Sequence, residues 1–173
     1  MVDPPPEAIR QGDWFLLLDP AYRPETVDSP PPPAMIVGGW MLNADRVVGP
    51  FEPNPDYVPA DESTPTDPVD SLLRRIAEGE QLAEELLDAV RNAVLEIGCD
   101  EEDRPLIGIA PDGAHCVVIA TAGVQKRAVD VDRWWPVLGA ALTDTVPPDT
   151  DLLLNPAGAA PFRLSVHALR TAD

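Results

Sequence analysis

His115-Cys116 is the one place where this chain sets a thiol beside an imidazole, the residue types that supply nucleophile and base in covalent catalysis. Both residues fall on a predicted strand, where neighbours point to opposite faces, so the two side chains do not pair. Cys116 is therefore expected to be a structural thiol. Cys99 is the only other cysteine and His167 the only other histidine. Neither histidine has metal-ligand spacing to a cysteine or an acid, and the cysteines are too far apart for a C-x-x-C motif. Both cysteines lie in apolar runs, VLEIGC and HCVVIA, which suits buried reduced thiols; a disulfide between neighbouring strands is the alternative. No G-x-S-x-G elbow, P-loop or G-x-G-x-x-G precedes a helix. The acidic pair Glu84-Glu85 lies on the polar face of a predicted helix with nothing to perturb it. The run Asp100, Glu101, Glu102, Asp103 lacks the alternating oxygens and the glycine of an EF-hand loop and reads as a solvated turn. No enzymatic activity, cofactor or metal is expected.

Binding chemistry has more support. The chain carries 30 acidic and 12 basic side chains, for a formal charge of −18. Such a surface repels nucleic-acid phosphates and anionic membranes and attracts basic proteins; solubility alone is the competing explanation. Trp134-Trp135 stands between charged residues and a proline. In an extended segment the two rings face opposite ways, which leaves either one exposed as an interface anchor or both partly buried on the sheet. Trp134, Trp135, Asp100, Glu101, Glu102 and Asp103 are the candidate partner-binding residues. Trp14 and Trp40 lie on predicted strands and are expected in the core.

The elements that must position these residues follow from pattern. Residues 1–12 are Pro-rich and expected to be disordered, and 13–171 to form one domain. Residues 13–51 hold N-terminal strands. Asp13 to Leu18 is a buried strand stopped by Asp19-Pro20, and the four prolines Pro30 to Pro33 favour polyproline II. Met35 to Leu42 and Arg46 to Phe51 form a hairpin around Asn43-Ala44-Asp45, with Gly38-Gly39 marking a bulge or a close backbone approach. Residues 52–68 are a stiff connector, because each of Pro53, Pro55, Pro59, Pro65 and Pro68 fixes its φ and biases its predecessor toward extended geometry. Residues 69–93 are a helix pair. Asp67 is the N-cap, Pro68 suits the first position, and Asp70 complements the dipole. Val69, Leu72, Leu73 and Ile76 form the apolar stripe, and Gly79 ends the helix. The second helix, Glu80 to Ala93, presents Leu82, Leu86, Leu87, Val90 and Val94. Residues 94–171 return to sheet: VLEIGC, RPLIGIA and AHCVVIATA, a short helix over Leu138 to Thr145, then DLLLNP, FRLSV and a terminal helix near His167 to Thr171. The fold expected is α/β (α+β), a mixed and mainly antiparallel sheet of about six to eight strands with the helix pair covering one face.

The stretches FEPNPDYVP, PTDPVD, DLLLNP and FRLSVHAL, with the early DPAYRP and VGGW, resemble the small type VII secretion system-associated proteins of high-GC Gram-positive bacteria. The back half is similar to an SseB-type domain, whose strand ends in Asn-Pro before a final strand and helix. The most specific residues are Phe51, Pro53, Asn54, Pro55, Tyr57, Thr66, Asp67, Pro68 and Asp70; Asn155-Pro156 is a shorter match. The resemblance implies a cytoplasmic accessory protein that binds a secreted substrate or a component of the machinery, with no enzymatic residues to carry over. The alternative is an immunity protein whose acidic surface neutralises a cognate basic toxin domain. A cytoplasmic location also accords with an N-terminus that has no basic or apolar leader regions. The signature residues have structural reasons of their own: Asn54 bonds backbone groups between two prolines, Tyr57 buries a ring and anchors a hydroxyl, and Asp67 caps a helix.

Overall fold

The computed structural model describes residues 4–24, 26, 29–110, 112–147 and 149–171. The mixed α+β class stands, but the strands form two sheets rather than one. The first contains β1 (Ile9–Gln11), β2 (Trp14–Leu18), β3 (Ile36–Leu42) and β4 (Val48–Pro53), in sequential antiparallel order. Strand β1 corrects the expectation of disorder through residue 12. Gly12, at φ +61°, turns the chain so that Gln11 pairs Trp14 and Ile9 pairs Leu16.

Helices α1 (Pro68–Ala77) and α2 (Ala83–Arg91) follow. Gly79, at φ +100°, closes α1: its N–H reaches the Ile76 carbonyl and the Glu80 N–H reaches Arg75. This is the Schellman arrangement, and Arg75 and Glu80 also form an ion pair across it. Helix α2 starts three residues later than expected and lacks a side-chain cap at Leu82.

The second sheet contains β5 (Val94–Cys99), β6 (Ile107–Ile109), β7 (His115–Ala120), β8 (Arg133–Leu138), β9 (Asp151–Leu154) and β10 (Phe162–Leu164), with spatial order β10-β9-β7-β5-β8. Only the β7–β9 pairing is parallel. Strands β5 and β6 both run antiparallel to β7: Ile97 pairs Ile119, and Ile107 pairs Val117. They are thus two segments of one line, interrupted by an excursion in which Cys99 bridges Pro105. Arg133 to Leu138 forms a regular strand on β5, so Leu138 belongs to β8 and not to the expected helix; a 3-10 turn (Gly139–Ala141) leads into α3 (Leu142–Thr145). Helix α4 (Val166–Thr171) ends the described chain.

One core joins the two sheets. Val37, Trp40 and Phe51 of the first meet Val69, Leu73, Leu86 and Val90 of the helix pair. Beneath these lie Leu95, Ile97, Val117, Ile119, Leu152 and Leu154. The β5, β7 and β9 members are spaced two apart, as one buried sheet face requires. The sheets touch directly where Phe51 donates its N–H to the Asn92 carbonyl at 2.7 Å and bridges Ala93. Among the described residues no helix is long and apolar enough to cross a membrane.

Candidate functional site

The thiol and imidazole candidates do not assemble a reactive centre. Cys116 is buried and His115, next to it on β7, is exposed. Burial pushes the Cys116 thiol up, and nearby Asp151 adds to the shift; burial pushes Cys99 up as well, helped by Asp103 and Asp100. A thiol held protonated is a poor nucleophile. Both cysteines are free, so the interstrand disulfide does not form. Cys99 belongs to the apolar core and Cys116 does not.

The signature residues converge on two polar joints, the first partly exposed at Asn54 and the second buried. At the first, the Asn54 amide donates to the carbonyls of Pro33 (3.0 Å) and Ile36 (2.8 Å), while its Oδ1 accepts from Asp56 N–H. The Tyr57 hydroxyl donates to Asp19 Oδ2 at 2.7 Å, both groups being buried. Burial first, then the Asp19 carboxylate, drives the Tyr57 phenol well above its ordinary range. The connector is thereby fastened to the first sheet. Phe51 lies over Gly38, tilted against Trp40 at 4.8 Å.

The second joint is built on Asp67. Its Oδ1 accepts the N–H groups of Val69 (2.9 Å) and Asp70 (3.0 Å), which is the N-cap read from the sequence. Its Oδ2 accepts the Thr66 hydroxyl (2.8 Å) and the Thr121 hydroxyl (2.6 Å). Thr121 in turn accepts from Asn155 Nδ2 at 2.8 Å and donates its N–H to Asn155 Oδ1 at 3.0 Å. Gln125 Nε2 donates to Thr66 Oγ1 at 3.0 Å. Asn155, at φ +46°, ends β9 in the left-handed region that Asn tolerates, immediately before Pro156. Thus the two halves of the resemblance, Thr-Asp-Pro and Asn-Pro, are one hydrogen-bonded unit. Burial raises the Asp67 carboxyl, helped by the neighbouring Asp70 charge, and the bonds donated by the Thr121 hydroxyl, the Asp70 N–H and the Thr66 hydroxyl oppose it. Beside it the fully buried Asp70 accepts from Thr66 N–H and from Arg74 Nε at 2.9 Å through Oδ2, while Oδ1 has no partner.

The partner-binding candidates are adjacent at one sheet edge. Strand β8 has β5 on one side only. Trp135 is 55% exposed and Trp134 half-buried, so the reading with one ring exposed holds. Arg133 pairs Cys99 at the base of the acidic excursion and bonds Asp103 at 3.1 Å. Asp100 is spent on its own turn: it accepts from Arg104 N–H, Arg104 Nε and Glu102 N–H, which hold its carboxyl below the usual range. Glu102 pairs Arg104 at 2.8 Å. Among the described residues no group of three or more His, Cys, Asp or Glu is arranged to hold a metal ion.

The edge is protected against strand addition. Gly139 N–H donates to the Ala93 carbonyl at 2.9 Å, which makes that pair a bonded one. Alternation along the ladder then turns the backbone groups of Leu138, Pro136 and Trp134 outward. The central one is a proline without an N–H.

A groove that the sequence reading missed lies on the first sheet. It has a volume of about 490 Å³ and is bounded by Trp14 and Leu16 on one side and Glu52 to Pro55 on the other. Gly38-Gly39 lies between them. A Cβ on Gly39 would stand 2.7 Å from the Phe15 carbonyl oxygen and 3.2 Å from both Trp14 Cε3 and Leu16 Cδ2. The close approach expected at Gly39 is therefore real, and a bulge also falls beside Gly38, where the register passes from Leu17↔Gly38 to Leu18↔Ile36; a second irregularity lies at Trp40/Leu42. The sequence signal was WFLLL, which is apolar on both faces where a half-exposed strand should alternate. Trp14 is consequently half-buried at this surface, not in the core expected for it; Trp40 is in the core.

Comparisons of the chain with protein-family models, with curated proteins and with solved structures gave no match.

Proposed function

We propose that this chain is a non-enzymatic accessory protein of a type VII secretion system, working in the cytoplasm by binding a secreted substrate or a component of the machinery. The observation that supports the reading is the β8 edge. It presents an exposed indole beside an acidic turn on a chain of charge −18. An aromatic anchor next to carboxylates suits a basic protein surface. Pro136 disfavours recognition through added strands, so recognition there is by side chains. The same charge disfavours nucleic acid as a partner.

The experiment is a pull-down from native lysate with the tagged chain at low and high salt, run beside Trp135→Ala and Glu101→Lys. A secretion substrate or component retained at low salt, and lost with either variant, is the expected result. Capture that ignores salt and both variants would refute the edge as the interface. The acidity also favours a second reading, an immunity protein that occupies a basic toxin domain. Recovery of such a toxin, with its activity suppressed by the wild type and not by Glu101→Lys, would replace the accessory role.

A further inference from the structure

We propose that the outer face of the first sheet is a second docking surface, one that takes an extended protein segment carrying Lys or Arg next to an aromatic or aliphatic side chain. This deepens the reading of the chain as a binding protein and rests on it, but it uses a different surface from the β8 edge.

The register separates the two faces of that sheet. Phe15 and Leu17 pack toward the core, and Arg10, paired with Phe15, stacks over its ring at 6.0 Å. The opposite face carries Leu16 paired with Ile9 and Gly39, and Trp14 paired with Gln11 and Met41. Ile9 and Met41 are 41% and 43% exposed. Several adjacent apolar side chains thus face water on a sheet whose inner side already has its core. A contiguous patch of this kind marks an interaction site more often than a lone exposed residue does.

The occupant's chemistry follows from what is left unsatisfied. Asn54 has committed its amide to Pro33 and Ile36 and its oxygen to Asp56. The Gln11 amide and the Glu52 carboxylate remain to meet a ligand. Glu52 is exposed, pairs across the ladder with Gly39, and is, among the described residues, the only ionisable one lining the groove. A glycine opposite it leaves nothing to screen the carboxylate from that side. The nearest cation in the pairing scheme, Arg10, belongs to the other face. The groove therefore offers apolar contact plus one unpaired negative charge. A segment with a hydrophobic side chain and an adjacent cation satisfies both; an acidic segment is repelled by Glu52 and by the whole chain. The charge of −18 also argues against a second copy of this chain as the occupant.

The test uses the full chain as bait against a displayed library of random dodecapeptides, followed by fluorescence polarisation with the most enriched peptide. Enrichment of sequences with Lys or Arg adjacent to an apolar residue is expected. Binding should weaken about fivefold or more in Glu52→Lys, which removes and reverses one exposed charge pair worth up to about 1 kcal/mol. It should weaken similarly in Met41→Ser, which removes apolar contact at an exposed position without adding charge, and stay unchanged in Trp135→Ala. Circular dichroism of each variant controls for folding. Enrichment without a basic preference, binding indifferent to Glu52→Lys and Met41→Ser, or no enrichment at all would overturn the proposal. Loss confined to Trp135→Ala would also overturn it while leaving the β8 edge as an interface.

Discussion

Asp67→Ala tests whether the two halves of the signature are one structural unit. The cap alone is worth about 1 kcal/mol. The geometry demands more, because Asp67 Oδ2 also accepts the Thr66 and Thr121 hydroxyls in a buried site. Alanine leaves both donors without that acceptor, at about 1–3 kcal/mol each. Thr121 can rotate toward Asn155 Oδ1, already 3.2 Å away, which reduces its share. The sum is about 3–4 kcal/mol, a large fraction of the stability of an ordinary domain. Urea unfolding followed by tryptophan fluorescence should show the midpoint falling by roughly 1.5–2 M at a slope of about 2 kcal/mol/M. Combining Asp67→Ala with Thr121→Val removes one orphaned hydroxyl, so the pair should couple by about 1 kcal/mol or more. A loss of about 1 kcal/mol without coupling would refute the reasoning and reduce Asp67 to an isolated cap.

The same residue gives a pH signature with a definite sign. Burial raises the Asp67 carboxyl above its ordinary 3.8. The native state then holds the proton more tightly than the unfolded chain, so ionisation lowers native stability as pH climbs from that ordinary value to the native one. Asp67→Asn lacks this titration. Wild-type stability minus that of the variant should fall with rising pH across the window and be level above it. A difference that instead grows with pH would mean that the donated hydrogen bonds outweigh burial.

The remaining predictions concern packing, a hydroxyl and the thiols. Gly139→Ala places a Cβ 1.7 Å from the Val90 carbonyl oxygen, a backbone atom that cannot step aside, and should cost about 3 kcal/mol or more; a thermal melt indistinguishable from wild type would contradict the packing of α2 on this turn. Tyr57→Phe should cost about 2 kcal/mol, since the buried Asp19 Oδ2 loses its donor while Oδ1 keeps the Ala21 N–H. Measured by urea unfolding, no loss would mean that Asp19 is solvated. Native protein at pH 7.5 should resist iodoacetamide at both cysteines, and urea should expose both, as read by intact mass. Rapid native labelling of either would reopen nucleophilic chemistry.

Local signals carried far in this sequence. Asp67-Pro68 and Gly79 announced both ends of α1, because capping depends on a few adjacent residues. The separation into two sheets was not legible, since pairing between distant strands leaves no local trace. Nor was β8: Pro136 argues against a central strand and is permitted only at an edge, and whether a strand lies at an edge is a tertiary fact. RPLIGIA reads as an independent strand, yet only Ile107–Ile109 joins the sheet against β7, because it continues the β5 line after the Cys99–Pro105 excursion. Asp67 and Asn155 each had a local rationale. Thr121, which connects them, sits in an unremarked ATA and carried no signal of its own.

The division of labour among residues follows from the same geometry. Phe51, Asn54, Tyr57, Thr66, Asp67, Asp70 and Asn155 direct their polar or aromatic groups inward, against partners within the chain. A surface substitution near them changes little they depend on. Trp135, Met41 and Glu52 are the reverse: each is exposed, and among the described residues none has a hydrogen bond or ion pair from its side chain to hold it. Changing them should alter recognition while sparing the fold, and changing the first group should unfold the chain before it alters specificity. A signature confined to the first group therefore specifies a scaffold, and partner choice rests with residues outside it.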